Sequence, residues 1–247
     1  MQRLSTESRM LAACVAVFSL LLFICLVPAF AEDPKPEAEA WPKEQAGKFL
    51  AELEARHGGD KSLAAVFDQE KHLKMLKAPL AAKGRICFVP PGRLRFEITQ
   101  PFASVLLYST GDIRRFEQEN GKWKTLDARA VRVMVLVMEQ ISHWMQGKFQ
   151  EQSQVFDTTV APAPEQRVTV RLRPKHERFR EFIEGIDIAV GPPPELRIQA
   201  ITVREPGGDY TEMRFTREWR GLALPDSVFE VPDAPLDALL ADEGKKP

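Results

Sequence analysis

Between Ile86 and Pro101 the chain reads Ile-Cys-Phe-Val-Pro-Pro-Gly-Arg-Leu-Arg-Phe-Glu-Ile-Thr-Gln-Pro, two short alternating runs on either side of a Pro-Pro-Gly turn. After the turn, Leu94, Phe96 and Ile98 fall on one face of a strand while Arg93, Arg95, Glu97 and Thr99 fall on the other. That period of two belongs to an antiparallel sheet with one apolar and one wet face. What remains open is whether the apolar face packs only on protein or also holds a ligand.

The same punctuation recurs along the chain. Leu63–Leu73, Lys83–Val89, Arg93–Thr99, Ala103–Ser109, Asp112–Gln118 and Lys122–Thr125 read as successive strands, broken at Pro101 and Gly111, with Asn120-Gly121 as a hairpin turn. Short turns between neighbours favour antiparallel pairing, because parallel neighbours need long crossovers. Further strands are expected at Glu151–Thr158, Arg167–Leu172, Phe182–Val190, Glu195–Arg204 and Tyr210–Trp219, with Phe229–Pro232 as a last short edge. Within Tyr210–Trp219, Met213, Phe215 and Trp219 lie in phase, opposite Arg214, Thr216 and Glu218.

Two segments break the pattern. Ala46, Phe49, Leu50 and Leu53 recur at helical spacing between Lys43 and His57, and Gly58-Gly59 closes the segment. Asp127–Gly147 lacks proline and is apolar on most sides of a helix, from Val131 through Met134 and Met138 to Trp144 and Met145. So continuous a surface must be covered by sheet, by lipid, or by both. The expected class is therefore mainly β (α+β), one extensive antiparallel sheet with two helical insertions in a single domain.

Residues 1–31 have the form of an export signal: Arg3 and Arg9 lead, Leu11–Val27 is almost wholly apolar, and Ala29-Phe30-Ala31 offers a cleavage site before Glu32. An uncleaved anchor is the alternative reading of this stretch. Residues 32–42, with Pro34, Pro36 and Pro42, read as a linker, and residues 233–247 as a flexible tail. Cleavage would leave Cys87 as the sole cysteine, so no internal disulfide could form even in an oxidising compartment. It would also leave 32 basic against 34 acidic side chains, a net of −2 that gives no electrostatic case for nucleic acid.

His57, His72, His143 and His176 show no metal-type spacing, and neither a Gly-x-Ser-x-Gly elbow nor a phosphate-binding glycine loop is present. Carboxylates are plentiful but scattered. No catalytic residue, metal site or cofactor is expected, and the chain is not read as an enzyme.

The ordered set of parts resembles the periplasmic outer-membrane lipoprotein carriers, the LolA-like family. The matching features are the export signal, the N-terminal helix, a Phe-x-Gln-x-Lys strand at Phe67, Gln69 and Lys71, a Gly-led strand from Gly84, the Pro-Gly-Arg-Leu-Arg-Phe-Glu segment, the closing Gln100-Pro101 and the turn at Gly111-Asp112. They extend over most of residues 43–232 and concentrate between Leu63 and Arg115. The resemblance implies an incomplete antiparallel β-barrel, a half-barrel, with helices covering a hydrophobic cavity. It implies a monomeric periplasmic carrier that takes acylated lipoprotein or lipid cargo from an inner-membrane transporter and delivers it to an outer-membrane acceptor. Family carriers keep an Arg before the Pro of the central segment, where it helps hold the lid; this sequence has Pro90 there.

Leu94, Phe96 and Ile98, with Met134, Met138 and Met145 opposite, are the candidate lipid-binding residues. Methionine conforms to varied chain shapes, and burying a methylene is worth about 0.8 kcal/mol. Alternatively, each is an ordinary core residue. The rival function is a periplasmic module that senses lipid or lipoprotein without transport.

Overall fold

The computed structural model describes residues 38–109, 111–126, 140, 143–144, 147–149 and 154–243. Eleven strands form one open sheet in which every neighbouring pair is antiparallel. They are β1 (Leu63–His72), β2 (Leu80–Val89), β3 (Arg93–Gln100), β4 (Ser104–Ser109), β5 (Asp112–Glu119), β6 (Lys122–Leu126), β7 (Phe156–Pro162), β8 (Val168–Pro174), β9 (Gly185–Val190), β10 (Ile198–Arg204) and β11 (Tyr210–Arg220). The spatial order β6-β5-β4-β3-β2-β1-β11-β10-β9-β8-β7 joins two meanders through the pairing of β1 with β11. The hairpin between β5 and β6 turns on Asn120 (φ 51°) and Gly121 (φ 75°), the left-handed pair that matches the twist of flanking strands.

Helix α1 (Lys43–His57) follows Pro42 and ends at Gly58, with Glu44 in its first turn and Arg56 and His57 in its last, charges suited to the helix dipole. Its buried residues Phe49, Leu50, Leu53 and His57 make one stripe. The stripe enters the main apolar cluster, which takes Leu63 and Phe67 from β1, Ile86 and Phe88 from β2, Leu94 from β3 and Ile188 from β9. We call this the helix-side face. Just before α1, the Trp41 N–H donates to the carbonyl of Val160 on strand β7 at 2.7 Å.

The opposite face is covered by the C-terminal segment. A 3-10 turn (Asp226–Phe229) and helix α3 (Leu236–Glu243) lay Val228, Phe229, Leu236 and Leu240 against Ala64 and Cys87. A four-residue helix, α2 (Glu177–Arg180), sits between β8 and β9. Residues after Pro232 thus include a packed helix where the sequence suggested a tail. Phe229–Pro232 is not a strand either: Val228 and Phe229 are buried consecutively, and arginine side chains, not a neighbouring strand, take the carbonyls of residues 228–232.

This cover overturns the expectation of a wet face on β3. Arg95 and Glu97 are only 1% and 6% exposed, beneath residues 226–237. Trp219 also changes sides. The register shift between Val66 and Phe67 inserts Thr216 as an extra residue in β11, so Met213 and Phe215 stay on the helix side while Trp219 packs on the other.

Candidate functional site

On the helix side, one register row runs Ile98, Gly84, Phe67, Phe215 across β3, β2, β1 and β11. Phe67 is fully buried; its ring stacks on Phe96 at 5.2 Å and meets Phe215 edge-on at 6.2 Å. The ring lies across Gly84, where an added Cβ would stand 2.4 Å from Phe67 Cζ and 2.4 Å from the Glu97 carbonyl oxygen. That contact explains the glycine in the second strand: only a residue without a side chain lets an aromatic ring pass flat over the sheet.

Of the sequence candidates, Leu94 is buried in the main cluster, whereas Phe96 and Ile98 pack against its margin half-exposed, as do Phe215 on β11 and Val203 on β10. Met134, Met138 and Met145 lie outside the described residues, as does most of Asp127–Gly147; Gln140, His143 and Trp144 are helical, and Trp144 is buried in the main cluster.

Polar groups bound the apolar face at both ends of β1. At the start of the strand, His57 Nε2 donates to the Leu196 carbonyl at 3.0 Å; since a carbonyl only accepts, the proton sits on Nε2. Burial lowers the His57 pKa below 6.5, and the Arg220 charge lowers it further. Arg220 is held by Asp60 and by Glu218, the latter at 2.5 Å. At the far end, Gln69, Lys71 and Thr211 are buried, and Lys71 Nζ donates to Glu205 at 2.9 Å. Local sequence pattern signals the Gln69 and Lys71 positions, in phase with Phe67; Thr211 emerges only from the pairing of β1 with β11.

On the other face, arginines grip the C-terminal segment. Arg95 donates to Glu97 at 2.7 Å, to the carbonyls of Val228 and Val231 at 3.2 and 2.8 Å, and to that of Pro232 at 2.5 Å. Arg85 bridges Glu97 and Asp237, Arg93 pairs with Asp226, and Arg114 donates to the carbonyls of Phe229 and Glu230. None of these contacts is local in sequence except that between Arg95 and Glu97. Cys87 lies beneath this cover, and desolvation pushes its thiol up to about 12, so it is no thiolate nucleophile.

An open groove of about 720 Å³ lies near Asp68, Glu70, Lys83 and Arg214. Among the described residues no group of three or more His, Cys, Asp or Glu is placed to hold a metal ion, and no helix is long and apolar enough to cross a membrane.

A family model described as outer membrane lipoprotein carrier protein LolA matches residues 59–232. The chain belongs to the LolA family. The matched span begins after α1 and takes in all eleven strands and the 3-10 turn. No curated protein sequence matches the chain. Among solved structures, a putative outer membrane lipoprotein-sorting protein domain from Vibrio parahaemolyticus is 11% identical, with 79% of this chain and 98% of that one covered and a TM-score of 0.42. LprF from Mycobacterium bovis is 12% identical over 74% of this chain and 96% of its own, with a TM-score of 0.43. The lipoprotein LppX from Mycobacterium tuberculosis is 10% identical over 72% and 98%, with a TM-score of 0.40.

Proposed function

We propose that this LolA-family chain is a periplasmic carrier of acyl chains, exported by residues 1–31. In this reading the sheet curls into a half-barrel with α1 as part of its cover. Cargo is lipoprotein or another acylated lipid, collected from an inner-membrane transporter and handed to an outer-membrane acceptor.

The supporting observation is the margin of the helix-side face. Phe96, Ile98 and Phe215 remain half-exposed around a core in which Phe67 and Leu94 are sealed. An acyl chain laid over that margin would remove apolar surface from water at about 25 cal/mol per Å², and about 0.8 kcal/mol for each of its own methylenes. Partly exposed residues suit a carrier, since each step of uptake and release is then small. Met134, Met138 and Met145 would complete the lining.

Organic extracts of the purified exported protein, read by mass spectrometry, test this directly. Acylated lipid is expected in the extract, and a fluorescent fatty acyl probe is expected to bind once the protein is stripped. Protein that is empty as purified and takes up no probe would overturn the reading.

A further inference from the structure

We infer that Gln69, Lys71 and Thr211 form a receptor for the polar head of the acylated ligand, selecting an uncharged head that carries both a hydrogen-bond donor and a carbonyl. The inference rests on the acyl-binding reading above and adds to it the chemistry at one end of the site.

The helix-side residues of β1 run Leu63, Ala65, Phe67, Gln69, Lys71, from apolar to polar within one strand. Thr211 on β11 is paired with Lys71, and Met213 with Gln69. Paired side chains on one face of a sheet stand about 5 Å apart at Cβ, so Gln69, Lys71 and Thr211 share a patch next to the Phe67 ring. These are no solvated surface residues, since Gln69 is 9%, Lys71 1% and Thr211 1% exposed.

Two polar atoms in this patch, Gln69 Oε1 and Thr211 Oγ1, are buried without a hydrogen-bond partner among the described residues. Folded proteins rarely leave such atoms unmet, because each has given up its water. The half-exposed Phe96 and Phe215 border the same Phe67 ring, so a chain lying on them would end beside these atoms.

The chemistry of the head follows from the atoms. An amide oxygen only accepts, so Gln69 asks for a ligand O–H or N–H. The Thr211 hydroxyl can donate to a carbonyl. Lys71 is already balanced by Glu205 at 2.9 Å, so the patch has no surplus positive charge to reward a phosphate or a free carboxylate. An acylglycerol and an N-acylated polypeptide terminus both present a carbonyl and a donor at the head of an acyl chain.

Three probes with one chain length test this by displacing a fluorescent acyl probe from the purified protein: 1-monolauroylglycerol, N-lauroylglycinamide and methyl laurate, which lacks a donor. At least one donor-bearing probe should bind tenfold or more tighter than methyl laurate. Gln69→Leu and Thr211→Val should each shrink that ratio toward one while leaving methyl laurate unchanged. Thr211→Val is isosteric and Gln69→Leu exchanges the amide for a compact apolar group; each removes a buried polar atom without a partner among the described residues, so folding is expected to survive. Preference for the glycerol head alone identifies a glyceride, and for the amide alone an acylated polypeptide. Equal affinity for all three, or a preference that Gln69→Leu does not touch, overturns the head-group site and leaves acyl binding standing. If none of the three displaces the probe or binds, the carrier reading fails and this inference falls with it.

Discussion

Arg95 donates from Nε to Glu97 Oε2 at 2.7 Å, two residues along one strand, and the remaining guanidinium nitrogens reach three carbonyls of the C-terminal segment. A planar fork can serve a carboxylate and a row of carbonyls together, whereas an ammonium on a flexible stem cannot. Arg95→Lys should therefore cost about 2 kcal/mol, and Arg95→Met about 3–5 kcal/mol because it leaves a buried carboxylate with only Arg85. Urea unfolding measures the loss, and limited proteolysis should show residues 226–243 cut first. An Arg95→Lys protein with unchanged midpoint and cleavage would show that the segment is held by its apolar contacts alone.

Gly84 makes a second test of packing. Gly84→Ala drives a methyl into the Phe67 ring and the Glu97 carbonyl oxygen and should destabilise by about 1–3 kcal/mol. Phe67→Leu in the same chain should recover part of the loss, as contacting residues couple, and the backbone contact should keep recovery incomplete. Strictly additive losses in denaturant melts would contradict the ring-over-glycine arrangement.

His57 gives the fold a dependence on pH. Its folded-state pKa lies below 6.5 because burial, and then the Arg220 charge, disfavour the imidazolium. Between that lowered value and 6.5 the unfolded chain binds more protons than the folded one, so stability rises with pH there. The contribution is complete above pH 6.5 and is lost as pH falls toward the folded value. Urea midpoints of wild type and His57→Gln should converge on acidification from pH 7.5 to 5, since glutamine can still donate to the Leu196 carbonyl but does not titrate. A constant gap between the two proteins would exclude this role.

Cys87 should be silent in the folded protein. With the thiol pushed up to about 12 by desolvation beneath Phe229 and Leu236, Ellman's reagent should react with it only after denaturant is added. Rapid reaction in buffer, measured on the chain without residues 1–31, would mean that the C-terminal cover opens readily.

The fold was legible wherever its determinants are local. Alternation at Leu94, Phe96 and Ile98, the Asn120-Gly121 turn and the stripe of α1 each depend on residues a few positions apart, and α1, β3 and the β5–β6 hairpin stand close to the expected positions, whereas β7 (Phe156–Pro162) starts later and runs further than the expected Glu151–Thr158. What local pattern misread has distant causes. Arg95 and Glu97 alternate like solvent-facing residues yet are covered by a segment more than 130 positions away. Trp219 is in phase with Phe215 until one extra residue in the β1–β11 pairing turns it over. In the candidate site, Phe96 was readable from its strand, whereas Thr211 joins Lys71 only through pairing between the two ends of the chain.

Phe96 provides the sharpest test of the acyl-binding face. It is half-exposed and stacks on Phe67 from the margin, so Phe96→Glu can place its carboxylate toward water and should cost only about 1–2 kcal/mol of stability. A bound acyl chain would have to cover that carboxylate, and an ionised group without a partner is far too costly to bury against hydrocarbon. Uptake of a fluorescent fatty acyl probe should therefore fall at least tenfold in a protein whose circular dichroism and urea transition remain cooperative. Phe102→Glu makes the same charge change at a loop side chain that is 63% exposed, and it should load like wild type. Equal loading by both variants would remove Phe96 from the site, and with it the observation on which the carrier reading stands, because a chain that passes over an unpaired carboxylate without penalty is not lying on that face.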